Sequence, residues 1–484
     1  MKIHFVFLDM DNMENPRGDV HFGLASLSAV LKEKGHKVTL THLKANDRNG
    51  FIEKTISDVK KYQPDIIGFT LTELEERNFI KLSHRLKDKF NLPIIVGGAY
   101  PTIAPERIIK TKGVDMIVRG EGENVLIKLF ENMEKKKPIN EIRGIWLKKN
   151  GRIYRNGLDY PPDITNLPLM DFSIFDDEAM LGGELDGQIR FGYLCNRGCP
   201  FECTYCLNYH LRHSYPKGSQ YVRYQKIDRI IEHLSYLKNK YKFGLFNFYD
   251  DTFLLNSKWV EEFSHKYKRE FDVPFICHAR PETSTKRMIF MIAKAGCEYL
   301  SIGLESGNES LRKNVLNRQP TNAQIITTFG NAKEFNIKPI AFNMVGIPYE
   351  TEENILETIR VNAKVKPFIV GVSAFYPFRG TQLGDLCYSK GWVLEEKKEK
   401  VKSFVEGSIL DYPQLSNKMI NWYFNNFILL YYSKVGTKMF VKEITSRLFK
   451  RLHIHGRLGL QRKIDEIRAP NEINGNSLIE SRKI

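Results

Sequence analysis

Hydrophobic and polar positions repeat in two long periodic blocks separated by a less regular stretch. In the first, the short apolar runs IHFVFL, KVTLTHL, DIIGFTL, PIIVGG and VDMIVRG alternate with segments whose apolar residues return every three to four positions. The runs read as strands. The segments read as helices from His21 to Lys34, near 50–61, near 74–88, briefly after Gly98, and from about Asn124. Five such pairs across residues 1–135 predict an α/β, doubly wound (flavodoxin-like) parallel sheet, which takes ligands beyond the carboxyl ends of its strands. From 188 to 390 the theme recurs with QIRFGYL, GLFNFY, PFICHA, YLSIGL, PIAFNMV and FIVGVSAFY, parted by helical stretches near 224–240, 256–269, 283–295, 321–335 and 351–363. That pattern predicts βα units on a second parallel sheet. Residues 136–187 read as a linker with a hairpin, GIWLKKNGRIYRNG, and the Pro-rich PPDITNLPLMDF; 391–484 read as a helical C-terminal region with a basic tail.

Composition narrows the class. A chain of 484 residues with 42% apolar, 27% charged and 12% aromatic content is globular, large enough for about three domains, and outside the disordered range. Its start, MKIHFVFLDMD, lacks a signal peptide's basic n-region, and no run approaches a bilayer span, so a cytoplasmic setting is expected. The net charge of +16 favours an anionic partner. Nine of the basic residues and one acid, Glu443, fall between Tyr431 and Lys463, where Val441, Ile444, Leu448 and Leu452 recur at helical spacing. A helix capping the barrel is the first reading of that segment, and a peripheral contact at the inner membrane surface the second. The final APNEINGNSLIESRKI is polar and expected to fray.

Cysteine placement carries more. Four of the seven cysteines, Cys195, Cys199, Cys203 and Cys206, lie in CNRGCPFECTYC, while Cys277, Cys297 and Cys387 are scattered. Clustered soft thiolates in a reducing compartment read as a zinc or iron-sulfur site. A zinc knuckle draws on two chain segments, and no second cluster exists. Three thiolates on one loop can hold three irons of a cubane and leave the fourth open; whether Cys195 also ligates stays undecided.

Cys199, Cys203, Tyr205 and Cys206 match the Cys-x3-Cys-x2-Cys motif, with an aromatic before the last Cys, of the radical S-adenosylmethionine (SAM) superfamily, which this region resembles. The resemblance implies a partial (β/α)6, TIM-type barrel, with cofactor groups at the strands' carboxyl ends. It puts Asp250 or Asp251, where the superfamily more often has a Gly-Gly-Glu-like turn, near the SAM amino group, Arg280 near its carboxylate, Glu305 near ribose or amine, and Gly346 against adenine. The plainer readings are helix caps for Asp250, Thr252, Glu350 and Thr351, and an ion pair for Arg280.

The series HFGLASLSAVLKEKGHKV, PDIIGFTLT, PIIVGGAYPT and VDMIVRGEGE resembles the cobalamin-binding domain that precedes such barrels in the B12-dependent radical SAM family. Thr70 and Thr72 match its small hydroxyl residues near the cobalamin tail, and Gly97 and Gly98 the glycines beside it. The Asp-x-His-x-x-Gly motif is absent, since the first loop, DMDNMENPRG, has no histidine, and this implies base-off cobalamin without a histidine below cobalt. By resemblance, then, the chain uses a [4Fe-4S] cluster, SAM, cobalamin and an electron donor such as flavodoxin or ferredoxin to methylate an unactivated carbon of a small-molecule, lipid or tetrapyrrole substrate. Oxidative cyclisation or rearrangement is the alternative. A metal-stabilised nucleic-acid-binding protein is the remote one, and the absence of basic and aromatic interleaving or any nucleic-acid motif speaks against it.

Overall fold

The computed structural model describes residues 1–10, 18–398, 400–401, 403–436 and 441–443, in two units, Met1–Asn425 and Asn426–Ile484. The first unit holds two seven-stranded sheets. In one, β1 (Lys2–Leu8), β2 (Lys37–Leu43), β3 (Ile66–Thr70), β4 (Ile94–Gly97) and β5 (Met116–Val118) run parallel in the order β2-β1-β3-β4-β5. Every residue of β3 is buried, as expected of a central strand covered on both faces. Helices Phe22–Glu33 and Glu123–Glu134 cover one face, packing Leu24, Val30, Leu126 and Phe130 over Ile3 and Phe5. Helices Phe51–Tyr62 and Glu76–Lys89 cover the other, with Val59, Phe79, Leu82 and Leu86 over Ile67 and Phe69. The strand order reverses between β1 and β3, the switch point at which such sheets open a crevice.

The expected hairpin forms as β6 (Ile145–Lys149) and β7 (Arg152–Arg155), but it adds antiparallel to β5 as the edge of this sheet. Buried Ile145 and Leu147 on one face and Trp146 on the other explain the placement, because a free-standing hairpin would leave both faces wet. The rest of the linker sinks Phe172, Phe175 and Met180 into a core continuous with both sheets.

In the second sheet β9 (Gln188–Tyr193), β12 (Leu245–Phe248), β13 (Phe275–Ala279), β14 (Cys297–Glu305), β15 (Lys338–Val345) and β16 (Ile369–Ala374) run parallel, and β8 (Glu184–Leu185) pairs antiparallel with β9. The edge strands β8 and β16 do not meet, so the barrel stays open. A separate ribbon joins β10 (Asn196–Arg197) to β11 (Arg223–Tyr224). The outer helices begin where side-chain caps dictate: Asn256 accepts from Lys258 and Trp259 N–H, and Thr321 and Thr351 form capping boxes. Leu245, Ile276, Tyr299 and Ile340 plug the amino-terminal end of the barrel. Among the described residues no helix is long and apolar enough to cross a membrane. Of the basic segment, residues 431–436, which end the helix Asn417–Val435, and the helical Val441–Glu443 are described; the rest of it and the final polar stretch lie outside the described residues.

Carboxylates of the first sheet's loops grip the barrel. Arg197 of β10 donates to Glu121 at 2.6 Å, Glu123 at 2.7 Å and Ser26 at 3.0 Å, and Ser26 donates to Glu123 at 2.7 Å. Arg223 of β11 pairs with Glu121 and donates to the Pro162 carbonyl at 2.8 Å. On the other flank Glu73, 8% exposed, accepts from the Arg379 backbone N–H at 2.8 Å, Tyr388 at 3.2 Å and Lys398 at 3.4 Å. Burial alone would raise the Glu123 carboxyl; Arg197 and the Ser26 hydroxyl outweigh it and hold the group below its usual range. Breaking a buried pair from one side strands a desolvated charge, so Arg197→Met should cost about 3–5 kcal/mol in urea unfolding. Arg155→Ala, at an exposed pair with Glu106, should leave the midpoint unchanged. An unaltered Arg197→Met midpoint would refute the grip.

Candidate functional site

The loop after β9 starts on a brace. Asp250, directly beyond β12, accepts the Asn196 N–H at 2.7 Å and the Cys195 N–H at 3.2 Å, and burial raises its carboxyl to about 7 in spite of them. Gly198 follows at φ +89, where an added Cβ would collide with the Tyr221 carbonyl, so only glycine lets β10 lie against the strand leading into β11. Farther on, Thr204 donates to the Val315 carbonyl at 2.6 Å and its carbonyl accepts the Leu383 N–H at 3.0 Å.

Each of the three motif thiols meets a different polar neighbour. Cys203 Sγ accepts from Arg280 Nη1 at 3.0 Å; Cys199 Sγ lies 3.8 Å from Thr252 Oγ1; Cys206 Sγ lies 3.8 Å from Asn208 Nδ2. Asn208 is held by Asp251 at 2.9 Å and Tyr221 at 2.5 Å. Burial raises Cys199 and carries Cys206 up to about 12, so these thiols ionise only with a compensating cation. Soft sulfurs with donors aimed at them suit an iron-sulfur cluster, whose potential such hydrogen bonds tune. Cys195 is separate: it is 3% exposed, belongs to the core that holds Tyr193, Tyr267 and Cys277, and burial raises its thiol well above the usual range. Among the described residues no three His, Cys, Asp or Glu side chains converge on one ion.

Arg280, Tyr205 and Glu305 gather near Cys203. Arg280 also donates to Glu282 at 2.7 Å and lies 3.8 Å over the Phe201 ring. Glu305, at φ +64, pairs with Arg318 at 2.6 Å, and Arg318 donates to Tyr205 at 3.2 Å and the Gly303 carbonyl at 2.8 Å. Arg280 Nε, Arg318 Nε and Glu282 Oε2 are buried without partners among the described residues, an unfinished charged set that fits a zwitterionic ligand. Gly346 turns at φ +84 against Ile420, and Glu350 accepts its N–H at 2.7 Å and that of Ile347 at 3.3 Å. Asp250 is thus committed to the loop's backbone, while Asp251 reaches Asn208.

In the first sheet a cavity of about 170 Å3 opens at the ends of β3, β4 and β5, with Phe5, Leu24, Ile95 and Leu126 as walls. Thr70, Gly97 and Gly98 line it; Thr72 does not, being exposed and committed to capping the next turn through Glu75. An added Cβ at Gly98, at φ +103, would lie 2.8 Å from Leu71 N. A narrow apolar slot floored by backbone suits a flat heterocycle. His21 also lines it, donor or acceptor to Thr70 Oγ1 at 3.1 Å through Nε2 while Nδ1 accepts the Leu24 N–H at 3.1 Å; burial lowers it to about 4. His21 lies beyond the histidine-free first loop, which ends at Gly18, and carries no motif signal in the sequence. Arg197, Glu121, Glu123, Asn208 and Arg318 were also missed.

A doubly wound sheet with a ligand slot, gripping an open barrel that carries a three-thiol loop after its first parallel strand, defines an α/β enzyme of the tandem cofactor-binding class. A B12 binding domain model matches residues 12–130 and a radical SAM superfamily model residues 193–361. The chain belongs to the radical SAM proteins with an N-terminal B12-binding domain. An uncharacterized methyltransferase of Pyrococcus horikoshii is 27% identical over 384 residues, 77% of this chain and 79% of its own. The anaerobic magnesium-protoporphyrin IX monomethyl ester cyclase of Rubrivivax gelatinosus is 22% identical over 83% of this chain and 72% of its own. The fold is that of the radical SAM methyltransferase TsrM from Kitasatospora setae, solved with cobalamin and a [4Fe-4S] cluster: TM-score 0.65, 14% identity, 80% of this chain and 75% of that one.

Burial raises Glu350 to about 8 from the ordinary glutamate value of 4.5, partly offset by the Gly346 and Ile347 N–H groups. A carboxyl raised on folding contributes stability below its unfolded value and loses it as pH climbs through the folded one. Glu350→Gln should therefore gain on the wild type in thermal melts as pH rises from 4.5 to about 8, then hold level. A constant difference across that range would contradict the raised carboxyl.

Proposed function

We propose that the chain is a cobalamin-dependent radical SAM methyltransferase acting on an unactivated carbon of a small-molecule substrate. The carrying observation is the isolation of Cys199, Cys203 and Cys206 on one braced loop with Cys195 turned away into the core, a donor set of three rather than four. In this reading those three thiolates hold a [4Fe-4S] cluster. The unfinished set of Arg280, Glu282 and Arg318 takes the charged methionine end of SAM, with Glu305 held ready by Arg318. The 170 Å3 slot beside Thr70 and Gly98 takes the nucleotide tail of cobalamin. Both nitrogens of His21 are engaged within the protein, so this side chain would line the slot rather than serve as a ligand. Bound together, the three cofactors supply a 5'-deoxyadenosyl radical and a transferable methyl group; the protein's part is to align the substrate and exclude water. Residues 1–135 serve cobalamin, 188–390 serve the cluster and SAM, and a flavodoxin or ferredoxin supplies electrons to this basic chain. The Pyrococcus horikoshii relative, named a methyltransferase, supports the reading. The cyclase relative supports a second one, ring formation without methyl transfer.

Anaerobic reconstitution of single Cys199→Ser, Cys203→Ser and Cys206→Ser variants should abolish the brown absorption and bound iron, while Cys195→Ser keeps both. Iron loss in Cys195→Ser, or a colourless zinc-loaded wild type, would defeat the three-thiol reading. With purified substrate, S-adenosylhomocysteine and 5'-deoxyadenosine should appear together. The nucleoside alone would replace methyl transfer by cyclisation.

A further inference from the structure

The inner wall of the barrel carries a feature that the cofactor sites leave unused. Side chains alternate along β13 to β15: Cys277 and Asn343 face the outer helices, so His278 and Phe342 face the lumen. His278 lies opposite Ser301, and Phe342 opposite Gly371. Three rings lie nearly parallel along this wall: Tyr249 and His278 with centroids 5.9 Å apart and planes 29° apart, His278 and Phe342 6.0 Å and 17° apart. Phe22 extends the row at 5.7 Å from Tyr249, and its neighbours His21 and Gly23 line the cavity of the first sheet.

Glycines make room for the row. An added Cβ on Gly192 would come within 3.0 Å of Tyr249, and one on Gly371 within 3.1 Å of Phe342. Ordinary core rings would be covered, yet Tyr249 is 43% and Phe342 41% exposed. Asn247 and Ser301, on the same inner face, are 3% and 2% exposed, and Asn247 Oδ1 and Ser301 Oγ have no hydrogen-bond partner among the described residues. Burial lowers His278 to about 4, so its imidazole is uncharged at neutral pH, and neither of its nitrogens bonds a described residue. Exposed ring faces beside orphaned, deeply buried polar atoms mark a surface awaiting a ligand.

We propose that Tyr249, His278 and Phe342 form the substrate-binding wall, and that they take a flat, unsaturated, uncharged ring whose polar edge reaches Asn247 and Ser301. This rests on the reading of the barrel as the radical-generating domain. The adenine of SAM shares the chemistry, so it is the rival occupant.

The test is equilibrium dialysis of radiolabelled indole against the anaerobically reconstituted, cobalamin-loaded protein, with and without saturating SAM. Indole should bind in the presence of SAM, with indole-3-acetate and the saturated cyclohexylmethanol weaker. Phe342→Ala and Tyr249→Ala should each weaken indole about five- to tenfold while retaining cobalamin and SAM. If Phe342→Ala fails to fold, Phe342→Leu keeps most of the volume, removes the π face, and should show the same loss. Displacement of indole by SAM would assign the wall to adenine and overturn the proposal. So would equal binding of the saturated ring or the carboxylate, undiminished affinity in both variants, or no binding at all. Production of 5'-deoxyadenosine is read separately: cleavage without indole binding faults this wall, and binding without cleavage faults the functional reading.

Discussion

Two cofactor-binding sheets are useful to radical chemistry only if they are held at a fixed relation, and in this chain that relation depends on a buried charge. Arg197 stands two residues before the first motif cysteine, between Glu121 and Glu123 of one sheet and the ribbon partner Arg223 of the other. Removing such a cation from water is expensive, and only the combined carboxylates and the Ser26 hydroxyl offset the cost. An apolar interface of similar area could slide by small steps. A desolvated arginine with three directional partners cannot, because each lost bond exposes an uncompensated charge to a low-dielectric interior. Arg197 also lines the cavity of the first sheet, so one guanidinium joins the ligand slot and the thiol loop.

The same economy governs the loop. Burial raises Cys199 and Cys206, and Asp250 is spent on the backbone N–H groups of Cys195 and Asn196. Asp251, which acts on Cys199 and Cys206, is held by Asn208. Arg280 instead donates to Cys203. An environment that disfavours bare thiolates and supplies a cation and amide donors becomes stable when a cationic iron cluster takes the protons' place, which couples cluster assembly to the rigidity of the loop.

Much of this was legible in the residues. Strand and helix periods gave both parallel sheets, because βα units covered on two faces write long apolar runs with capped helices between them, and the thiol spacing marked its loop. What escaped was the pairing of distant polar groups. Glu121 and Glu123 stood within the quoted VDMIVRGEGE, yet nothing local says that they meet an arginine some seventy residues on. Thr70 closes β3 and Thr72 lies just beyond it, so they part company: one lines the slot, the other caps a turn. The hairpin was visible, but its attachment to β5 depends on the exposed edge that β5 would otherwise present. His21 was overlooked because it belongs to a helix cap rather than to the preceding loop.

The row of rings follows from the barrel's incompleteness. A closed eight-stranded barrel fills its interior with layers of branched side chains, and this barrel does so only at its amino-terminal end, with Leu245, Ile276, Tyr299 and Ile340. One layer up, glycines replace the branched residues at Gly192 and Gly371, and the rings lie along the wall instead of across the lumen. With fewer strands and an unpaired side, the sheet leaves the faces of Tyr249 and Phe342 exposed. Flat rings, a neutral imidazole and two unpaired polar groups are a poor way to pack a core, since each orphaned group is costly when buried. They become a sensible way to line a pocket once a ligand supplies the missing partners.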